Sequence, residues 1–383
     1  MMTRGFASTS KTYPVLWTKN PPPNVDRRVI RPGSGFCYVQ KMITYHLKGP
    51  GGLASLQPIV VDDPSPGSDD VVIQSRAWSL NYRDLAMPSG GYVRNDKIKH
   101  SPPLVPLSDV AGQVVAVGSG VTRFRVGDRV MASFFRDWVD GDLDHEQIGS
   151  ALGGAIDGVL SEKVCLPQRA WVQTPANLTD VQAATLPCAA VTAWHAFELG
   201  PLRMGQTVLL LGTGGVSIFA LQLAKIAGAK VIITSSSDEK LARAKSMGAD
   251  ETINYRDIPD WDKRVRELTD DVGVDHVIEV GGAGTLEKSL RSARVSGTIS
   301  LIGILSGRVD QNPSMLPALF NRITVRGIYV GSRRMFEDLC RSIDVNGLVP
   351  VVDRTFAFED ARAAYEYLQS GKHFGKVVIE APK

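Results

Sequence analysis

From residue 205 to 330 the chain alternates short, uniformly apolar runs with amphipathic stretches. The runs are VLLL at 208–211, VIIT at 231–234, TIN at 252–254, VDHVIEV at 274–280, ISLIG at 299–303 and ITVRGIYV at 323–330. Strands that are apolar on both faces and separated by helical periods predict a doubly wound parallel sheet, an α/β unit with helices on either side. Residues 42–172 follow another rhythm. DVVIQSRAWSL at 70–80 and DVAGQVVAVGSGVTRFRVGDRVMA at 109–132 are Val-rich and broken by Gly, which predicts a small β-rich unit. After Ser332 come two helical periods, near 334–345 and 358–369, and a strand KVVIE at 376–380, which we read as returning to complete that unit. Residues 1–41 hold Pro14, Pro21 to Pro23 and Pro32 and no sustained period, and read as a loose, disordered extension. The division expected is therefore 1–41, 42–172, 173–332 and 333–383.

The first strand of the parallel unit runs into GTGGVS, residues 212–217, and then into a helical period to Ala227. Gly212, Thr213, Gly214 and Gly215 form a turn that lets backbone approach a phosphate, and Val216 opens the helix whose free N–H groups and dipole favour an anion. The last fingerprint position serves helix-to-strand packing, so Ser217 can stand where glycine is usual. A dinucleotide is the ligand expected. A triphosphate loop is excluded, because the Lys288-Ser289 pair is preceded by Glu287 where glycine is required. The second strand ends in Thr234, Ser235, Ser236 and Ser237, without the carboxylate that would hold a ribose 2′-hydroxyl. Hydroxyls there, with Lys240 on the next helix, favour NADP(H) over NAD(H). The same residues also read as a helix start, Ser236 and Glu239 making a capping box.

Composition adds limits. With 383 residues, 43% hydrophobic and 22% charged, the chain suits two folded domains rather than disorder. The formal charge of +3 is uneven: residues 1–41 carry seven cations against Asp26, leaving a mildly acidic body with no electrostatic case for nucleic acid. That extension has the Arg, Ser and Thr content of a mitochondrial transit peptide, while its prolines interrupt the helix such peptides form. The four cysteines, Cys37, Cys165, Cys188 and Cys340, are widely spaced, which suits a reducing, cytoplasmic setting. No apolar run is long enough to span a bilayer, so no membrane role is expected.

The motifs NYRD 81–84, VGDRV 126–130, LPCAAVTAW 186–194, GTGGVS 212–217, DEKLARAKSMGAD 238–250, INYRD 253–257 and HFGKVVI 373–379 together resemble the medium-chain dehydrogenase/reductase superfamily. Within it the chain is similar to the zinc-free, quinone-oxidoreductase-like branch. The resemblance implies a GroES-like catalytic domain, a Rossmann domain, a cleft for NADP(H) between them, and a homodimer. It also implies that Lys240 and Tyr255 contact the 2′-phosphate, that Thr192, Gly303, Gly375 and Lys376 line the cofactor, and that Asn81, Tyr82 and Tyr92 lie nearest the nicotinamide.

Zinc-using relatives need thiolate and imidazole ligands with one open position. Here Asn81 stands at the first ligand position, Ser108-Asp109 replaces a His-Glu pair, and Cys188 alone remains; Met131 to Val164 contains no cysteine for a structural zinc. His195 reads as a core histidine. No metal is expected. Without a Lewis acid, a conjugated double bond or quinone is an easier hydride acceptor than a simple carbonyl, because the charge spreads into an enolate or phenolate. The leading expectation is reduction of such a small electrophile, with Tyr82 or Tyr92 as proton donor or orienting group and Asn81 as hydrogen-bond donor. A metal-free alcohol dehydrogenase or carbonyl reductase is the nearest alternative, and an NADPH-binding protein without turnover is the alternative from another class. The acidic stretch 134–158, with Phe134, Phe135 and Trp138, reads either as a loop over the cleft or as a solvated loop anchored by its aromatics.

Overall fold

The computed structural model describes residues 28–30, 38–49, 51–88, 103–303, 305 and 313–382. The β-rich unit begins with β1 (Arg28–Ile30), β2 (Tyr38–Leu47) and β3 (Leu56–Asp62), an antiparallel three-stranded sheet. Two pieces of the basic N-terminal stretch are therefore strands rather than loose chain. β4 (Asp70–Leu80), β5 (Asp109–Val117), β6 (Arg129–Ala132), β7 (Lys163–Pro167) and β8 (Trp171–Gln173) follow, with the short helix α1 (His145–Ile148) in the acidic stretch. β4 anchors the unit: Trp78 is fully buried and its indole N–H donates to Val159 O at 2.7 Å.

Helices α2 (Asp180–Ala183) and α3 (Val191–Leu199) lead into the second unit. There β9 (Thr207–Leu211), α4 (Gly215–Ile226), β10 (Lys230–Ser235), α5 (Asp238–Ser246), β11 (Glu251–Asn254), α6 (Trp261–Glu267), β12 (Val274–Glu279), α7 (Leu286–Ser292), β13 (Ala293–Leu301), α8 (Leu316–Phe320) and β14 (Thr324–Gly327) alternate. The six strands pair in the order β11-β10-β9-β12-β13-β14, every pair parallel. The order reverses beside β9, which is where such sheets open a crevice for a ligand at the strand ends.

The chain then returns. α9 (Arg333–Asn346), β15 (Val352–Ala357), α10 (Ala361–Gln369) and β16 (Lys376–Glu380) follow, and β16 pairs antiparallel with β4, Val377 opposite Leu80. The last strand thus lies in the middle of the first unit's sheet, in the order β15-β16-β4-β5-β6-β8. One apolar core is continuous across both units: Met131, Phe374 and Val378 share a cluster with Ala189, Val191, Ile218 and Phe219. Burial of that shared surface sets the two units against each other and fixes what faces the crevice.

The acidic stretch 134–158 is anchored by its aromatics. Phe134, Phe135 and Trp138 are buried, Phe135 packs edge-on to Tyr329 at 5.0 Å, and the N–H groups of Arg333 and Arg334 donate to Trp138 O and Val139 O.

Candidate active site

β9 is buried from Val208 to Leu211 and delivers the chain into the glycine turn. Gly212 has φ +73°, a left-handed value that side chains rarely take, and a Cβ on Gly212 or Gly214 would point into open space. The first turn of α4 leaves its leading N–H groups without helical partners, next to that space. These features fit a dinucleotide pyrophosphate. Ser217 lies on the opposite side, 2% exposed, and its hydroxyl donates to Leu211 O at 2.7 Å, tying helix to strand.

At the end of β10, Thr234 and Ser235 are buried, Thr234 Oγ1 accepting from Gly212 N at 3.3 Å and Ser235 O accepting from Tyr255 N at 3.0 Å. Ser236 is half-buried, and the expected Ser236–Glu239 capping box is replaced by Ser237, whose hydroxyl accepts from Lys240 N at 3.4 Å because the helix starts at Asp238. Lys240 Nζ donates to Gly371 O at 2.7 Å, and Tyr255 is 42% exposed. Ser236 directly follows β10, Lys240 lies in the first turn of α5, and Tyr255 is bonded through its backbone N–H to Ser235, the last residue of β10. Among the other residues expected along the cofactor, Thr192 is buried with its hydroxyl donated to Cys188 O at 2.7 Å, and Gly303 follows β13 with its N–H on Glu279 O at 3.2 Å.

The turn is bonded to the last strand of the other unit. Gly375 N donates to Thr213 O at 3.0 Å, and a Cβ on Gly215 would stand 2.7 Å from Lys376 Cδ. Lys376 therefore runs from the start of α4 into the β-rich unit. Its ammonium, 3% exposed, donates to Leu80 O at 2.8 Å and Asn81 Oδ1 at 2.6 Å, and lies 3.8 Å from Asp109 Oδ2. Asp109 is completely buried and its other oxygen accepts from the Ser108 hydroxyl at 2.7 Å.

Asn81 follows β4 and begins a turn over Tyr82–Leu85, held by Asn81 N donating to Asp84 Oδ2 at 2.7 Å. Burial raises the carboxyl of Asp84 above its ordinary range, against the pull of Arg83 at 3.3 Å. Arg83 also lies over the Phe134 ring, 4.4 Å from its centre, which joins this turn to the acidic stretch. Half-buried Arg83 lies beside Asp84 and buried Lys376 beside Asp109, so each buried carboxylate of the cluster has a cation next to it. Asn81 is 8% exposed and its amide nitrogen has no hydrogen-bond partner among the described residues; Tyr82 beside it is 52% exposed. Tyr92 lies outside the described residues.

Sequence reading missed the Lys376–Asn81–Asp109 contact. Lys376 was expected along the cofactor, and only the pairing of β16 with β4 brings its ammonium to Asn81, 295 residues away.

The donors here do not fit a catalytic zinc. Cys188 is the one thiol near the cluster, its ionisation opposed by burial and by Asp109, and an amide, a carboxylate and an ammonium complete the set. Among the described residues no three His, Cys, Asp or Glu side chains converge as metal ligands do. His195 is buried, its Nδ1 2.8 Å from Val330 O. Among the described residues no helix is long and apolar enough to cross a membrane.

Known proteins share this architecture. Residues 67–176 match the alcohol dehydrogenase GroES-like domain and residues 215–344 the zinc-binding dehydrogenase domain. A zinc-type alcohol dehydrogenase-like protein of Schizosaccharomyces pombe is 43% identical over 338 residues, covering 86% of this chain and 96% of that protein. An acryloyl-coenzyme A reductase of Metallosphaera sedula is 31% identical over 328 residues, covering 83% of this chain and 94% of its own length. The solved structure of a candidate alcohol dehydrogenase from Sinorhizobium meliloti 1021 superposes with a TM-score of 0.82 at 44% identity, over 89% of this chain and 98% of that one. A GroES-like unit built on β4 and β16, joined to a parallel dinucleotide sheet, makes this chain a member of the zinc-type alcohol dehydrogenase-like group of the medium-chain dehydrogenase/reductase superfamily, a family of oxidoreductases.

Proposed function

We propose that this protein is an NADPH-dependent reductase that transfers hydride, without a metal, to an electron-poor carbon–carbon double bond or a quinone. The observation that carries the reading is the ammonium of Lys376 between Asn81 and Asp109, positions that the family resemblance matches to metal ligands of zinc-using relatives. An amide held by a fixed cation can donate a hydrogen bond to a developing oxyanion, but it is a weak substitute for a Lewis acid. Enones and quinones need less help, because their charge is delocalised.

A bound dihydronicotinamide supplies hydride. For an enone, hydride bonds to the β-carbon, the π electrons pass through the α-carbon to oxygen, and the enolate takes one proton at the α-carbon, so NADPH, a proton and the enone give NADP⁺ and the saturated ketone. The chain's part is to orient the acceptor, donate hydrogen bonds to its oxygen and relay a proton. Tyr82, exposed to solvent and next to Asn81 in the sequence, is our candidate for that relay. The acryloyl-coenzyme A reductase relative acts on a conjugated double bond by its name, which favours this substrate class over simple carbonyls.

The NADPH preference rests on Ser236, Lys240 and Tyr255 near the end of β10, with no carboxylate at Ser235 or Ser236. We also read the chain as a homodimer, because β14 is the outermost strand of the parallel sheet among the described residues and Leu319 and Phe320 just before it are 70% and 76% exposed. Steady-state NADPH oxidation with a panel of enones, quinones, ketones and aldehydes, with product identification, tests the reaction: saturated or hydroquinone products support it, and alcohols alone refute it.

A further inference from the structure

We propose that Lys376 is a positioning residue that sets the Asn81 amide with its nitrogen as the free donor, and that this nitrogen binds the substrate oxygen on which charge develops. The inference rests on the reductase reading above and deepens it. An ammonium has only donors, so the amide atom 2.6 Å from Lys376 Nζ is the oxygen, and the other terminal atom is the NH₂ group. The reverse orientation would set NH₂ against NH₃⁺. That nitrogen is buried and has no partner among the described residues, although buried polar groups are nearly always paired. A buried donor without a partner among the described residues is what an oxyanion site needs.

The surroundings make the arrangement rigid. Leu80 O takes a second proton of the ammonium, Asp109 balances its charge, and Asn81 N is tied to Asp84. The stem of Lys376 packs against Gly215, so the same side chain links the start of the dinucleotide helix to the donor. Charge-assisted bonding at Oδ1 also polarises the amide and strengthens its N–H groups as donors. Asn81 is thereby the catalytic group, and Lys376 acts through it.

Asn81→Asp separates this role from a structural one, because it keeps an acceptor for the ammonium while removing the donor. In the full-length protein we expect kcat for an enone to fall about 100-fold, with a NADPH dissociation constant changed less than about threefold and no loss of melting temperature. Lys376→Met should lower kcat by a similar factor, and adding it to Asn81→Ala should cost nothing further. Binding of 4-nitrophenolate to the NADP⁺-loaded protein, read by absorbance, should weaken about tenfold in Asn81→Asp whether or not any enone is turned over. If no enone or quinone is reduced, the substrate reading fails, and the phenolate titration still decides this proposal. Turnover or phenolate affinity kept within about threefold in Asn81→Asp overturns it, as do losses from Asn81→Ala and Lys376→Met that multiply. Should Lys376→Met not fold, Asn81→Asp decides alone.

Discussion

The N–H of Gly375 donates to the carbonyl oxygen of Thr213 at 3.0 Å, fastening the last strand of the β-rich unit to the dinucleotide turn of the parallel sheet. Gly375 can make this bond because its φ is +78°, and a Cβ there would stand 2.6 Å from Val351 O. Gly375→Ala should therefore destabilise the protein by about 1–3 kcal/mol and weaken NADPH binding, since strain and a backbone clash both act at the fastening point. Thermal unfolding and a fluorescence titration of NADPH check this; a variant with both values unchanged would show that the contact is dispensable.

On the NADPH reading proposed above, Lys240 beside the end of β10 selects the cofactor. Its ammonium donates to Gly371 O, and its helix α5 starts just after the end of β10. Lys240→Ala should reduce the ratio of NADPH to NADH affinity about tenfold, the size of one lost charge-assisted hydrogen bond. An unchanged ratio would remove Lys240 from the phosphate site.

Acid should unfold this protein partly through His373. Burial and the nearby charges of Lys240 and Lys376 push its imidazole down to about 4. The folded value lies below the unfolded one, near 6.5, so between those pH values the unfolded chain binds the extra proton. Stability from this group is full above pH 6.5 and declines as the pH falls toward 4. Buried His195 and His276 are shifted in the same direction by desolvation and add to the slope. Chemical denaturation at stepped pH should show His373→Asn with a shallower decline than the parent; parallel curves would contradict the assignment.

Much of the fold was legible because its signals are local. Apolar runs at 208–211 and 231–234 became β9 and β10, and the periods near 334–345 and 358–369 became α9 and α10. Ser217 was read as a packing residue, and its hydroxyl does bond the strand end. The helix start was misplaced by one residue, since Ser236 and Ser237 are equally good caps by type and only the turn geometry chooses between them. The pairing of Arg28–Ile30 with Tyr38–Gln40 was hidden by the surrounding prolines. The Lys376 contact was illegible for a different reason: it depends on β16 lying beside β4, and no local pattern carries that pairing.

Two copies should associate through the β14 edge of the parallel sheet. Charging the exposed apolar surface just before β14, with Leu319→Glu and Phe320→Glu, should shift the protein to monomer in sedimentation velocity while leaving its fold intact. A parent protein that sediments as a monomer would refute the dimer.

The central claim, metal-free hydride transfer to a conjugated acceptor, is tested most directly by one measurement. Protein treated with chelator and shown free of zinc by elemental analysis is mixed with NADPH and an enone, and the product is identified by mass spectrometry. The account predicts undiminished NADPH oxidation and the saturated ketone as product. Activity that vanishes with chelation and returns with zinc, or an allylic alcohol as the product, would contradict it.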